Sequence, residues 1–297
     1  MSAAKQDRIL IFGAGVIGSI YAMKFTEAGF DVSLFARSDR FRSLQEKGLQ
    51  YHDKGTVRSI PVKVIDTVEN DDVYDYIFVT VRYDRAESAL LALKDNQSPN
   101  IVTMTNSSIG FSSWRRIVGD RLLPAFPGFG GQIKDGVLYA RFMPKFLVAT
   151  SFGEVNGAVT QRVLKLAQVF QAAMLPYVIK KDMQAFLITH SVSDIALLGS
   201  LYGGNADPAR TRKTARQITV TLKAYLRKIK QAGVAVDPPL FTIVPKLPSF
   251  ILDVLFIAWL RTKMVKDMLL PDYANAANQE VVQLEQDLTK FLSMQNG

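Results

Sequence analysis

A glycine pattern near the start of the chain could hold a diphosphate. It follows a short apolar run and precedes a stretch of helical composition. In such a G-x-G-x-x-G turn the first glycine permits a tight bend, the second lets the backbone approach a pyrophosphate, and the third allows close helix–strand packing. The pattern predicts a dinucleotide-binding turn, and a coincidental glycine-rich turn is the alternative. Its six residues are Gly13, Ala14, Gly15, Val16, Ile17 and Gly18.

The residue at the end of the next predicted strand bears on the choice of cofactor. Enzymes that use NAD carry Asp or Glu at this point, about 20 residues on, to bind the ribose 2′-hydroxyl. Here Arg37 stands nineteen residues after Gly18, and Arg40 can assist it. A guanidinium suits a 2′-phosphate, so the residues favour NADP(H). Asp39 is a counter-signal, and a solvated loop position for Arg37 is the alternative.

One later helix carries a possible proton donor. His190 and Asp194 are four residues apart, so their side chains can meet on one helix face. A carboxylate beside an imidazole orients it and favours its protonated form, which suits a general acid near neutral pH. A helix-surface or interface pair of purely structural value is the alternative. The other histidine, His52, is expected on the surface of a hairpin-like region.

The segment 208–230 holds eight basic residues and no acidic one. At about 100° per residue, five of them fall on one stripe beside an apolar face. The stripe is either a solvated face flanking a core contact or an anion-binding surface. Tyr225 is the single aromatic residue within the segment, and no nucleic-acid motif accompanies it. The five residues, called the basic stripe below, are Arg212, Arg216, Lys223, Arg227 and Lys230, and Arg210 belongs to the same run.

The first half of the chain alternates strand and helix patterns. Strands are predicted at 8–12, 31–36, 62–65, 76–81, 101–105 and 122–126, with helices at 19–28, 41–47 and 86–94 between them. Such alternation is typical of βαβ units in a parallel sheet with helices on both faces. A loop at 130–136, a β-pair of 137–139 with 146–149, a helix at 158–174 and a strand at 177–179 follow.

Only helical patterns are found beyond that point, at 182–201, 208–232, 248–269 and 272–294. The predicted fold is therefore α/β: an N-terminal Rossmann domain with a doubly wound parallel sheet, residues 1–180, followed by a C-terminal all-α domain, residues 181–297. The cofactor is expected across the carboxyl ends of the strands at the switch point, and the substrate between the domains.

Composition excludes several classes of protein. The chain has 297 residues, 48% of them hydrophobic, which is ordinary for a globular protein. With no cysteine and two histidines, disulfides, thiolate catalysis and a metal site are not expected. The net charge of +9 invites an anionic partner. The most apolar stretch, 250–260, contains Asp253 and is too short to span a membrane, so a cytoplasmic protein is expected.

The sequence resembles the ketopantoate reductases (2-dehydropantoate 2-reductases) over nearly its whole length. The resemblance rests on the glycine turn, Arg37, the segment 79–82 with Val81 and Arg82, and the segment 105–110 with Asn106. It implies that Arg37 binds the 2′-phosphate and that Asn106 lies near nicotinamide and substrate. Arg82 stands where the family usually has Lys, and Ser107 where it has Gly.

Other family positions depart from the pattern. The family's first long helix of the second domain carries Trp-x-Lys, whose Lys is the general acid, and Asn four and eight residues later. Near the C-terminus of the chain, the family has a Ser and, twelve residues on, a substrate-binding Glu. With Phe186-Leu187-Ile188 placed on Trp-x-Lys without gaps, the Lys and Asn positions hold Ile188, Val192 and Ala196. With Met264 and Asp267 as anchors, the Ser and Glu positions hold Lys263 and Asn275.

The resemblance, with these departures, implies a divergent, homodimeric ketopantoate reductase-like enzyme with a role in pantothenate synthesis. It would transfer a hydride from NADPH to a small carbonyl substrate, with Asn106, His190 and Asp194 as catalytic residues. An NADP(H)-binding sensor or regulator without catalysis is the alternative, and a nucleic-acid-associated protein that uses the basic stripe is a further one.

Overall fold

The computed structural model describes residues 7–141, 149–202, 211–262, 265 and 271–295. The chain forms two compact units. The first comprises Met1–Thr105 and Phe111–Met183, and the second comprises Asn106–Gly110 and Gln184–Gly297. The short segment Asn106–Gly110 therefore belongs with helices that follow it by some eighty residues.

The first unit is built on a sheet of eight strands in the order β12-β11-β8-β7-β6-β1-β2-β5. All neighbours are parallel except β8 and β11. From β1 the chain runs outward to β2 on one side and later to β6 on the other, so the switch point lies beside β1. This is the predicted doubly wound sheet. Its strands are β1 Arg8–Phe12, β2 Asp31–Phe35, β5 Lys63–Ile65, β6 Tyr76–Val79, β7 Ile101–Met104, β8 Leu122–Phe126, β11 Thr150–Phe152 and β12 Tyr177–Ile179.

The helices of this unit connect the strands and cover the sheet. Aromatic residues of α1, β6 and α5 pack together, with Phe25 5.2 Å from Phe78 and 5.7 Å from Phe170 between ring centroids. Each such ring contributes about 1.5–3 kcal/mol by its burial. The helices are α1 Val16–Glu27, α2 Ser38–Lys47, α3 Tyr83–Ala92, α4 Ser112–Val118 and α5 Gln161–Ala172.

A second, four-stranded sheet, in the order β4-β3-β10-β9, was only partly predicted. Its strands are β3 Leu49–Asp53, β4 Thr56–Ile60, β9 Gly130–Lys134 and β10 Val137–Arg141. The loop prediction for 130–136 is wrong, because β9 pairs antiparallel with β10 through an Asp135–Gly136 turn with φ of 51° and 82°. Glycine stands at 131 because a Cβ there would lie 2.3 Å from Tyr139 O. The expected pairing of β10 with 146–149 concerns residues that lie mostly outside the described part.

The hairpin β3–β4 carries His52, which is exposed as predicted and stacks on Tyr139 of β10 with ring centroids 5.0 Å apart. The backbone at Lys54 and Gly55 turns with φ of 46° and 92°.

The described part of the second unit is helical. Four helices account for most of it: α6 Met183–Tyr202, α7 Thr211–Gln231, α8 Ser249–Leu260 and α9 Pro271–Gln295. Helix α8 is shorter than predicted. Among the described helices, none is by itself long and apolar enough to cross a membrane, and only the bent pair Pro239–Lys246 and Ser249–Leu260 meets those criteria jointly. The apolar face predicted for α7 is buried: Ala215, Ile218, Leu222, Leu226 and Ile229.

Candidate functional site

The glycine turn lies between the carboxyl ends of β1 and β6, at the switch point of the sheet. Gly13 has a φ of +124°, a conformation that favours glycine. The Thr80 hydroxyl, just after β6, donates to Gly13 O at 2.8 Å. A Cβ on Gly18 would lie 1.8 Å from Gly13 O and 2.5 Å from Thr80 Oγ1. The first and third glycines are therefore required by the packing of the turn itself.

Gly15 differs from both, because a Cβ built on it meets no atom within 4 Å. Its φ of −74° is open to any residue. The first hydrogen bond of α1 runs from Ser19 N to Gly15 O at 2.9 Å, so the N–H groups of Val16 and Ile17 precede the helical ladder. An open backbone at a helix N-terminus suits a diphosphate. The turn thus fits the dinucleotide that its sequence predicts.

A cleft of about 470 Å³ opens beside the turn. Of the predicted cofactor residues, Gly13, Ala14, Gly15, Arg37 and Val81 line it. Val16, Ile17 and Gly18 form the first turn of α1 instead. Arg40, which the sequence offered as an assistant to Arg37, lines it as well. The lining residues that were not predicted are Phe12, Phe35, Ala36, Arg85, Ser88 and Ala89.

Arg37 lies at the end of β2, where the sequence predicted it, and its side chain is exposed. Its guanidinium carbon is 5.1 Å from the centre of the Phe35 ring. Phe35 in turn stacks on Phe12 with centroids 4.2 Å apart and planes 5° apart. The stacked rings support Arg37 from below without using its hydrogen-bond donors.

The side chain of Arg40 forms hydrogen bonds within the protein. Its guanidinium donates to Ala14 O at 3.2 Å, to Gly136 O at 3.0 Å and to Ser19 Oγ at 3.2 Å. Burial lowers the pKa of this guanidinium from its ordinary value. Arg40 therefore fastens the glycine turn to α1 and to the β9–β10 turn.

Arg82 is paired with Asp84, Nε to Oδ1 at 3.0 Å, and does not line the cleft, whereas Arg85 does. Because α3 begins at Tyr83, positions 85, 88 and 89 share one helix face. The i, i+3, i+4 spacing after a strand end was the signal available in the sequence for this wall.

In the second unit, Asn106 is the centre of a hydrogen-bonded group. Its Nδ2 donates to Asp194 Oδ2 at 2.9 Å, and its Oδ1 lies 2.9 Å from Ser191 Oγ and 3.0 Å from Ser107 N. Ser191 Oγ also lies 2.9 Å from Leu187 O. Asn106 and Ser191 are 3% and 0% exposed. The amide of Asn106 is therefore held in one orientation.

His190 joins this group through Asp194, with Nε2 3.6 Å from Oδ2. The two side chains retain 33% and 26% of their exposure, so the pair reaches the surface of its unit. Burial raises the pKa of the Asp194 carboxyl, against the opposing effects of His190 and of the Asn106 hydrogen bond. The predicted catalytic residues Asn106, His190 and Asp194 are thus in one chain of contacts, which Ser191 extends.

The positions that a gapless alignment gives to the family's polar residues are apolar and buried here. Ile188, Val192 and Ala196 are each 0% exposed. Lys263, Met264 and Asp267 lie outside the described residues, as does the side chain of Asn275. Among the described residues, no group of three or more His, Asp or Glu could hold a metal ion.

The basic stripe serves mainly to hold its own unit together. Lys223 is 9% exposed, and its Nζ donates to Leu247 O at 2.7 Å and Ser249 Oγ at 3.3 Å. Arg216 pairs with Asp253 at 3.1 Å, and Arg227 donates to Pro245 O at 3.2 Å. Arg210 lies outside the described residues. Three of the five stripe residues thus fasten α8, and the segment before it, to α7.

The family model described as "Ketopantoate reductase PanE/ApbA" matches residues 9–130. A 2-dehydropantoate 2-reductase of Mesorhizobium japonicum is 24% identical over 254 residues, which cover 73% of this chain and 75% of that protein.

Solved structures share the fold over almost the whole chain. D-mandelate dehydrogenase, solved as a ternary structure with NADH and anilino(oxo)acetate, has a TM-score of 0.70 at 15% identity, covering 97% of this chain and 99% of that one. The PanE/ApbA family ketopantoate reductase from Ralstonia eutropha JMP134 has a TM-score of 0.66 at 16% identity, covering 98% and 100%. Residues 9–130 are thus similar to the ketopantoate reductase PanE/ApbA family, and the relative from Mesorhizobium japonicum resembles the chain at low identity.

Proposed function

We propose that the chain is an NADPH-dependent reductase of a small 2-oxo acid or a related carbonyl compound. The observation that carries this proposal is the cleft at the switch point, where the open Gly15 backbone meets an arginine at the end of β2. The family match and a structural neighbour solved with NADH support it.

Selection of NADPH is assigned to Arg37. Its guanidinium is exposed, rests on Phe35 and is positioned at the strand end where a ribose 2′-substituent is read. A charge-assisted contact of this type is worth about 1.5–3 kcal/mol, or roughly ten- to a hundredfold in affinity. Bound NADPH supplies the hydride that reduces the carbonyl carbon.

The proton for the resulting alkoxide is assigned to His190, on an argument from helix geometry. At about 100° per residue, the partners of Asn106 on α6, Ser191 and Asp194, lie about 60° apart. Val192 points about 100° from the first of these and about 160° from the second. Ala196 points about 140° from the first and about 160° from the second, whereas Ile188 points about 60° and about 120° from them. Positions 192 and 196 therefore face away from Asn106, and position 188 lies to one side of it.

A slip of two residues in the alignment resolves this. The family's Lys and first Asn then fall on His190 and Asp194, which keep the four-residue spacing and contact each other. Asp194 orients the imidazole and Asn106 holds Asp194. His190 is the general acid in this proposal, and Asn106 and Asp194 position it.

Ketopantoate itself is proposed to be a poor substrate. The slip leaves Leu198 at the second Asn position, and the family's Glu position holds Asn275, which carries no charge. A carbonyl compound with a larger or more apolar substituent fits these changes better. We further propose a cytoplasmic homodimer without nucleic-acid or membrane partners.

The test is a spectrophotometric screen of NADPH oxidation against 2-oxo acids that includes ketopantoate. Turnover that His190→Ala abolishes, while NADPH binding persists, supports the proposal. NADPH binding with no turnover on any 2-oxo acid would instead support an NADP(H)-binding sensor. Absence of NADPH binding would overturn both.

A further inference from the structure

Helix α3 contributes a wall to the nucleotide cleft that the sequence comparison did not predict. Arg85, Ser88 and Ala89 line the cleft from one face of α3, and Val81 continues that wall toward β6. Strands β2 and β6 flank β1 on opposite sides, so Arg37 and Arg85 enter the cleft from different sides of the switch point. The two arginines are therefore suited to different parts of a nucleotide.

The surroundings of Arg85 disfavour a phosphate partner. Its Nε lies 3.4 Å from Asp84 Oδ2, so a carboxylate already occupies one edge of the guanidinium. A phosphate dianion at that edge would be repelled by Asp84. Yet 75% of the Arg85 side chain is exposed, which leaves the planar face of the guanidinium accessible. Ser88 donates to Arg85 O at 2.9 Å, and Val81 and Ala89 offer only apolar surface.

We propose that Arg85 binds the adenine ring of the dinucleotide by stacking, as a residue distinct from the one that reads the 2′-phosphate. A planar cation stacks on aromatic faces, and apolar Val81 and Ala89 complete a flat wall for a base. Asp84 holds the guanidinium edge, as it also holds Arg82. This inference rests on the proposed function, because it assumes that a nicotinamide dinucleotide occupies the cleft.

Stacking and charge pairing predict opposite behaviour, and calorimetric titration with NADPH and NADH separates them. Arg85→Ala should weaken both nucleotides by the same factor, roughly three- to thirtyfold, since both carry adenine. Arg37→Ala should weaken NADPH alone. Arg85→Lys keeps the charge but loses the plane, so it should behave like the alanine variant, whereas Arg85→Tyr should retain most of the affinity.

Arg42→Ala is the matched control, because Arg42 is an exposed arginine of α2 that pairs with Asp39 and does not line the cleft. It should leave both affinities unchanged. A selective loss of NADPH in Arg85→Ala, rescue by Arg85→Lys, or no effect of Arg85→Ala would each overturn the stacking assignment. Failure of the unmodified protein to bind either nucleotide would instead overturn the proposed function.

Discussion

Two glycines of the same turn should fail in different ways when each is changed to alanine. At Gly18 the new methyl would lie 1.8 Å from Gly13 O and 2.5 Å from Thr80 Oγ1, so the backbone of the turn must move. Forcing a methyl into a packed site costs about 1–3 kcal/mol, and here the obstacle is backbone rather than a flexible side chain. Gly18→Ala is expected to lower the free energy of unfolding by at least that amount.

At Gly15 the methyl meets nothing within 4 Å, and the φ of −74° suits alanine. The free energy of unfolding should therefore change by no more than about 0.5 kcal/mol. The methyl does project where the backbone must approach a pyrophosphate. Leaving the helix N-terminal donors poorly paired costs about 1–3 kcal/mol, or roughly five- to a hundred-and-fiftyfold in affinity for NADPH and NADH alike.

Urea unfolding without nucleotide, and titration with NADPH and NADH, measure the two effects separately. Gly15→Ala should keep its unfolding midpoint and lose binding, whereas Gly18→Ala should lose stability first. Equal destabilisation by both substitutions would contradict the packing described for the turn. Unchanged NADPH affinity in a folded Gly15→Ala protein would refute the assignment of the pyrophosphate to Gly15.

Further outcomes follow from the second unit. Because burial raises the pKa of Asp194, its ionisation in the folded protein costs stability as the pH rises through and above the ordinary value of 3.8. Asp194→Asn should therefore gain in Tm relative to the native protein on going from pH 4 to pH 7. A constant Tm difference between the two proteins would contradict this. Ser191→Ala removes a hydrogen bond to the Asn106 amide and should lower kcat more than it raises KM. Ser193→Ala is the control, and equal kinetics of the two variants would argue against a positioning role of Ser191. Lys223→Ala should reduce the free energy of unfolding by about 1–3 kcal/mol, whereas Arg212→Ala, at an exposed position, should change it by less than about 0.5 kcal/mol. Equal urea midpoints of the two variants would refute the stabilising role of the buried Lys223–Leu247 contact. Ketopantoate should be reduced with kcat/KM below about 10⁴ M⁻¹s⁻¹, and a higher value in the NADPH oxidation assay would refute the substrate proposal.

The sequence predicts the doubly wound sheet because its strands are short apolar runs bounded by glycine and polar turns. Strand β1 and the paired β6 and β7 are almost wholly buried, which requires apolar residues at successive positions rather than alternate ones. Strand β9 cannot be predicted from apolar runs, because its first two residues are glycines. The reason for one of them, the approach of Tyr139 O to Gly131, is a tertiary contact with no local signal.

The two parts of the candidate site differ in predictability for the same reason. The glycine turn and Arg37 are local, since one strand–helix–strand unit positions them all. The group around Asn106 joins it to Ser191 and Asp194, which follow it in the chain by 85 and 88 positions. Its geometry depends on which face of α6 turns toward Asn106. A gapless alignment treats that face as given, and a slip of two residues turns it by about 200°.

Net charge is a poor guide to binding in this chain, because what matters is whether a cation already has partners. The segment 208–230 holds eight basic residues, yet three of them already have partners within the protein. Lys223, Arg216 and Arg227 donate to carbonyls, a hydroxyl and Asp253. These contacts fix α8 to α7 and do not indicate an anionic ligand. Arg37, by contrast, rests on the face of Phe35, a contact that does not use its hydrogen-bond donors. The cation that we propose discriminates between cofactors is therefore a single arginine outside the most basic part of the chain.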